Sequence, residues 1–159
     1  MAELRTILGT EYISSKDAIH DVHDTLTNTA TLTTDYQLYT NDATVRDYGT
    51  ATLWDKDNSI IDCSSLVEGA KIDVVLDSLI ASGSQDALIT VKFECPNNGS
   101  PFTLKEKTLR VKKNDTYNDD VTWGGYIGPE VKLYGIKIYS KVGVGTLDVS
   151  QRKLLVRAS

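Results

Sequence analysis

The sequence predicts an all-β chain: a two-sheet antiparallel sandwich, with the jelly roll as leading topology, behind an extended or helical N-terminal arm. Three observations predict it. From about residue 25 onward, apolar residues recur at every second position, the period of a half-buried strand. Clusters of Asn, Asp, Gly, Ser and Pro punctuate these runs at short intervals. A single stretch, 16–25, has helical spacing. Roughly seven or eight strands with few helices make a sandwich. An immunoglobulin-like sandwich ranks second, because its Cys…Trp…Cys pattern is missing. The expected division is an arm over 1–30 and a jelly-roll-like domain over 31–159.

Within the arm, Ser14 or Ser15 can cap a helix, and Ser14-x-x-Asp17 fits a capping box. At 100° per residue Ile19, Val22, His23 and Leu26 share one arc, opposite Asp17, His20, Asp21 and Asp24. A short amphipathic helix over 16–25 is therefore expected. The period then changes to two. In "TLTNTATLTTDYQLYT" Thr25, Thr27, Thr29, Thr31 and Thr33 hold one parity, and Leu26, Ala30, Leu32, Tyr36 and Leu38 the other. Further strands are expected over 43–55, 71–81, 87–95, 101–113, 130–142 and 145–157. In 87–95, Ala87, Ile89, Val91, Phe93 and Cys95 make an inward row. In "VKLYGIKIY" the inward parity shifts from Val131 and Leu133 to Ile136 and Ile138, which a bulge at Tyr134-Gly135 would absorb. Turns are expected at Asp57-Asn58, Glu68-Gly69, 82–84, 96–99, Asn114-Asp115 and Gly143.

The chain has 159 residues, enough for one domain with a real core. Its net charge of −5 argues against a nucleic-acid partner, since phosphate binding draws on clustered Lys and Arg. No apolar run approaches membrane-spanning length, so no membrane partner is expected. "MAELRTILGTEYISS" sets charges and a glycine where the apolar core of a secretory signal would run, so no signal is expected. Cys63 and Cys95 lack motif spacing and read as buried thiols of a reducing cytosol.

"IHDVHDTL" sets His20 and His23 one helical turn apart among Asp17, Asp21 and Asp24. A zinc site needs three or four ligands and further support, which nothing nearby closes, so no metal, cofactor or catalytic residue is assigned. The segment 112–128 is expected to be an acidic loop. Its Asn114, Asp115, Asn118, Asp119 and Asp120 offer oxygen ligands of the kind calcium prefers, though turns favour the same residues. Tyr117, Trp123 and Tyr126 on that segment are candidate glycan or partner contacts, while Trp123 could instead cap the core. "KEKTLRVKK" (105–113) reads as the solvated face of an edge strand, where lysines block unwanted pairing, or as a docking face for a negatively charged neighbour.

Together, the "MAELRTILGTEYISSKDAIHDVHDTL" arm and the Tyr/Thr-rich β-domain ending in "VKLYGIKIYSKVGVGTLDVSQRKLLVRAS" resemble small virion proteins of tailed bacteriophages. The resemblance implies a jelly-roll protein that decorates or cements a capsid, or forms part of a fibre, usually as a trimer. It also implies synthesis in the bacterial cytoplasm and residence in the virion. The expected function is thus non-enzymatic: capsid decoration by contacts with itself and with other virion proteins. Leu4, Ile7, Leu8, Tyr12, Ile13, Ile19, Val22 and Leu26 are the candidate partner-binding residues of the arm. The alternative is a carbohydrate- or receptor-binding module, a fibre or adhesin tip touching host glycan through Tyr117, Trp123 and Tyr126.

Overall fold

The computed structural model of the chain describes residues 18–22, 30–40, 45–48, 53–81 and 84–158. Alternation along the strands decides what lies inside. The strands are β1 (Ala18–Val22), β2 (Ala30–Leu32), β3 (Gln37–Leu38), β4 (Val45–Tyr48), β5 (Trp54–Asp55) and β6 (Ile60–Ile61). The longer ones follow: β7 (Lys71–Ala81), β8 (Ala87–Cys95), β9 (Phe102–Val111), β10 (Thr116–Tyr126), β11 (Lys137–Val142) and β12 (Leu147–Ala158). A single helical turn and a half, α1 (Pro129–Tyr134), separates β10 from β11.

Two sheets face one another. The first has the order β10-β7-β12-β1-β4, and β2 pairs the front of the β12 edge that β1 pairs further along. The second has the order β3-β11-β8-β9, and β5 and β6 form a small hairpin beside them. The described pairings are antiparallel. After β7 the chain crosses to the second sheet for the β8-β9 hairpin, returns for β10, crosses for β11 and returns for β12. This is the jelly-roll path. Inward rows meet between the sheets: Ile72, Val74, Leu76 and Ile80 from β7, Ile89, Val91, Phe93 and Cys95 from β8, Leu154 and Val156 from β12. Each such aliphatic or aromatic side chain contributes about 1.5–3 kcal/mol by leaving water.

Strands β7 and β8 match the expected 71–81 and 87–95 end to end. Where they are described, the expected strand over 25–40 is β2 on the first sheet and β3 on the second, and that over 43–55 is β4 on the first sheet and β5 in the small hairpin. Three more segments differ. The expected helix over 16–25 is a strand where it is described: Ala18–Val22 pairs with β12 on one edge and β4 on the other. Spacing alone favoured a helix, but an isolated helix of ten residues is marginal in water. Pairing on both edges satisfies the same backbone groups more completely, and tertiary context overrides propensity. The remainder of that expected helix, with the arm residues Leu4, Ile7, Leu8, Tyr12, Ile13 and Leu26, lies outside the described residues.

The expected strand over 130–142 splits into α1 and β11. Pro129 at the first helical position and Gly135 at the end are ordinary start and stop signals. Val131 is buried and Leu133 exposed, because two residues on a helix lie about 200° apart. Gly135 is not a bulge but the residue that ends the helix, at φ 73° and ψ −164°. Its amide donates to the Val131 carbonyl, and a Cβ there would collide with the Ile61 carbonyl oxygen. The third difference is 112–128. The turn spans only its first few residues, and Thr116–Tyr126 is β10, paired with β7 from Ala81 back to Lys71.

Gly135→Ala should therefore lower the unfolding free energy by about 2–4 kcal/mol, from a backbone region open to glycine alone plus a collision with main chain. Urea unfolding of the variant, followed by circular dichroism, measures it.

Candidate functional site

The second sheet turns a polar and aromatic row outward. Thr90, Lys92 and Glu94 on β8 and Tyr139 and Lys141 on β11 hold the parity opposite to the buried row. Register sets them in rungs. Tyr139 lies opposite Lys92 and Lys92 opposite Glu106, while Lys141, Thr90 and Thr108 form the next rung. Tyr36, one residue ahead of β3, completes the group. Its ring centroid is 4.1 Å from Lys92 Nζ and 4.5 Å from Lys141 Nζ, and it meets the Tyr139 ring edge-on at 6.4 Å and 76°. Lys92 is also 5.2 Å from the Tyr139 centroid and pairs with Glu94 at 2.7 Å. The Thr90 and Thr108 hydroxyls are 3.0 Å apart.

Strand β8 is held on both edges, so its side chains project from a fixed base. Burial works against the Lys92 ammonium, but the hydrogen bond and charge of Glu94 hold its pKa above the usual lysine value. Burial, followed by the Glu106 carboxylate, pushes the Tyr36 phenol up, and burial with Glu94 does the same for Tyr139. Both phenols therefore keep their proton at neutral pH and can donate as well as accept. Rings, ammonium groups and hydroxyls on one fixed face suit adsorption of a polar, ring-shaped or planar surface.

The residues expected to touch a glycan are placed apart. Tyr117, Trp123 and Tyr126 lie on β10, a strand rather than a loop. Tyr117 and Tyr126 are exposed, whereas Trp123 is half-buried against the core. Its indole lies over Gly125, where a Cβ would stand 2.7 Å from Cζ2. Tyr126 has the opposite strand parity to Trp123, and six residues, roughly 20 Å of strand, separate Trp123 from Tyr117. The strand therefore offers no single three-ring platform. His20 lies in β1, opposite Val156 and Asp47 in register, and His23 lies outside the described residues. Among the described residues no three His, Cys, Asp or Glu side chains converge as metal ligands, and the side chains of Asn118 and Asp119 lie outside them.

A second surface lies at the end of the sandwich where β10 finishes. The loop 62–70 is tied to Ile127 by two backbone hydrogen bonds, Gly69 N to Ile127 O at 2.7 Å and Ile127 N to Ala70 O at 2.8 Å. Lys132 of α1 donates to the Ser64 carbonyl at 2.9 Å and to that of Leu66. This knot of loop and helix presents Val67, Tyr126 and Leu133 to solvent, exposed by 75%, 73% and 70%. Val67 lies on the loop, Tyr126 at the end of β10 and Leu133 on α1, and each is a candidate contact residue on an anchored base.

The outer face of the first sheet carries an electrostatic conflict. Asp120 stands directly opposite Asp77 on β7, whose buried Oδ1 has no hydrogen-bond partner among the described residues. Burial and then the Asp120 charge raise the Asp77 pKa, with Lys153 opposing.

No family model matches the chain, and no curated protein does. Solved structures do resemble it. The Eiger TNF from S. frugiperda superposes with a TM-score of 0.54 at 7% identity, covering 89% of this chain and 92% of that one. At that identity the likeness concerns the fold alone. A looser likeness, with a TM-score of 0.44 at 10% identity, is to the CBM22-1–GH10 modules of Clostridium thermocellum endo-1,4-β-D-xylanase 10B complexed with xylohexaose. It covers 90% of this chain and 28% of that one.

Asp120→Asn should stabilise the protein at neutral pH by about 0.2–1 kcal/mol, the range for like charges set opposite one another. A carboxyl whose pKa is raised by folding favours the folded state at low pH and loses that contribution as pH rises through the raised value. The advantage of the variant should accordingly vanish below the ordinary carboxylate range, which a pH series of urea midpoints would show.

Proposed function

We propose that this chain is a non-enzymatic virion protein that decorates a capsid, acting by protein–protein contacts with copies of itself and with a neighbouring shell protein. The observation that carries the reading is the anchored apolar end, where Val67, Tyr126 and Leu133 stand exposed on a loop–helix knot hydrogen-bonded to the strands behind it. A mobile loop would lose entropy on docking, whereas this surface is already ordered. The arm adds a second contact. With Ala18–Val22 paired on both edges, the chain ahead of it starts from a fixed point in the first sheet. Leu4, Ile7, Leu8, Tyr12 and Ile13 supply the apolar groups that reach the next subunit. Three copies related by an axis would close such head-to-tail contacts into a ring.

Light scattering should return the mass of a trimer for the full chain. Removing residues 1–17, which spares β1, should lower that mass to a monomer while the far-ultraviolet spectrum stays unchanged. Val67→Asp with Leu133→Asp should do the same. A trimer that survives both changes would overturn the reading.

A specific observation favours a second reading, a glycan-binding role for the outer face of the second sheet. Tyr36 and Tyr139 stand edge to face over Lys92 there, beside the Thr90 and Thr108 hydroxyls. Tyr36→Ala should cut binding on a glycan array at least tenfold, with thermal stability nearly unchanged because the ring is half-exposed. Tyr117 and Tyr126, on another strand, should matter less. A broad array that stays silent with the full chain would count against this role.

A further inference from the structure

Strand β12 changes parity in mid-course. Ser150 lies opposite Leu79, but the next paired residue, Lys153, lies opposite Asp77. Two residues, Gln151 and Arg152, thus face Ser78 alone, the geometry of a β-bulge. Before the bulge Val149 is buried, and after it Leu154, Val156 and Ala158 are. The bulge brings Arg152 to the inside as well, where it is 5% exposed.

The guanidinium stacks on Tyr39, with Cζ 4.4 Å from the ring centroid, and Tyr39 in turn packs on Trp54 at 5.6 Å. Among the described residues, Nε meets no hydrogen-bond partner. Desolvation pulls the Arg152 pKa down, yet an arginine keeps its proton in proteins. A buried charge normally takes a counter-charge, because leaving it unpaired in a low-dielectric interior is costly. Asp77 does not supply one. It holds the outward parity of β7, where its electrostatic neighbours are Asp120 and Lys153.

Beside Arg152 is a cavity between the sheets, lined by Ser78 and Ser140 among Leu32, Ile89, Leu109 and other apolar residues. Its volume is about 10 Å³, the scale of one small species. Ser140 is itself 5% exposed. Nε–H and the two hydroxyls can all donate toward this space, and the apolar remainder of the wall offers no cation a place.

We infer that the cavity is a binding site for a single monatomic anion of the chloride type, held by Arg152, Ser78 and Ser140 and neutralising the buried guanidinium. A water could accept the same hydrogen bonds but would leave the charge unbalanced. A larger oxyanion does not fit the space. The ion locks the bulge in β12 to Ser140 on β11, and so joins the two sheets through their centre.

The test uses the full chain. At constant ionic strength, exchanging gluconate for chloride should raise the thermal midpoint by about 4 °C, as binding confined to the folded state requires. Arg152→Met, which removes the buried charge and keeps an apolar stem, should abolish that response. Ser140→Ala, which keeps the charge, should shift the response to higher chloride. Crystals grown in bromide should give one anomalous peak between Arg152 Nε and the two serine hydroxyls. An equal chloride response in the parent and Arg152→Met would overturn the inference. A cavity water without bromide signal would do so as well.

Discussion

The fold depends on the pairing of β12 with β7. Their ladder runs from Val149 opposite Ile80 to Ala158 opposite Ile72, and it places β12 where it also holds β1 and β2 on its other edge. Take that ladder away and the first sheet loses its middle, leaving β10-β7 on one side and β1-β4 on the other. The partners are far apart in sequence, so the ordering entropy of the long intervening chain must be spent before these contacts form. The inward rows of both sheets supply the compensation, since each buries a near-continuous line of branched or aromatic side chains.

What could be read from the sequence follows from how strongly one face is buried. Strand β8 alternates cleanly because one side faces the core; β7 keeps the same period through Ile72, Val74, Leu76 and Ile80 although Val75 and Ser78 break it, and the limits of both were legible to the residue. Strand β10 was not, because Asn118, Asp119, Asp120 and the Gly124-Gly125 pair are strand-averse residues. They are tolerated because β7 pairs with the strand along its whole length, and because both glycines have a use. Gly124 makes room for the Asp73 carboxylate, which a Cβ would approach to 2.7 Å, and Gly125 makes room for the Trp123 indole. The α1 segment did carry its signals, Pro129 and Gly135, but the apolar spacing of Val131, Leu133, Ile136 and Ile138 imitated a strand with a bulge.

The candidate surfaces were less legible. Tyr36 and Tyr139 meet only because β3 pairs β11, and a two-residue strand leaves almost no pattern to read. Val67, Tyr126 and Leu133 are exposed on three elements tied by main-chain hydrogen bonds at Ile127 and by the Lys132 ammonium, which no apolar pattern encodes. Arg152 is the exception in kind. The parity change between Val149 and Leu154 is visible in "LDVSQRKLLVR" and requires a bulge, so a residue of the intervening stretch had to turn inward. That the residue would be a buried arginine, with no carboxylate beside it among the described residues, follows from packing, which the sequence does not display.

The two cysteines bear on a different matter. Cys63 and Cys95 are free and fully buried; burial pushes the Cys63 thiol up to about 12 and raises that of Cys95 as well. The thiolate is the reactive form, so neither sulfur has appreciable nucleophilic character at neutral pH while the fold is closed. Nothing in the core depends on a cross-link being made or kept. A folded molecule carried from reducing to oxidising surroundings would keep the same covalent structure, and its shelf life would be set by how often it unfolds rather than by the redox state of the medium.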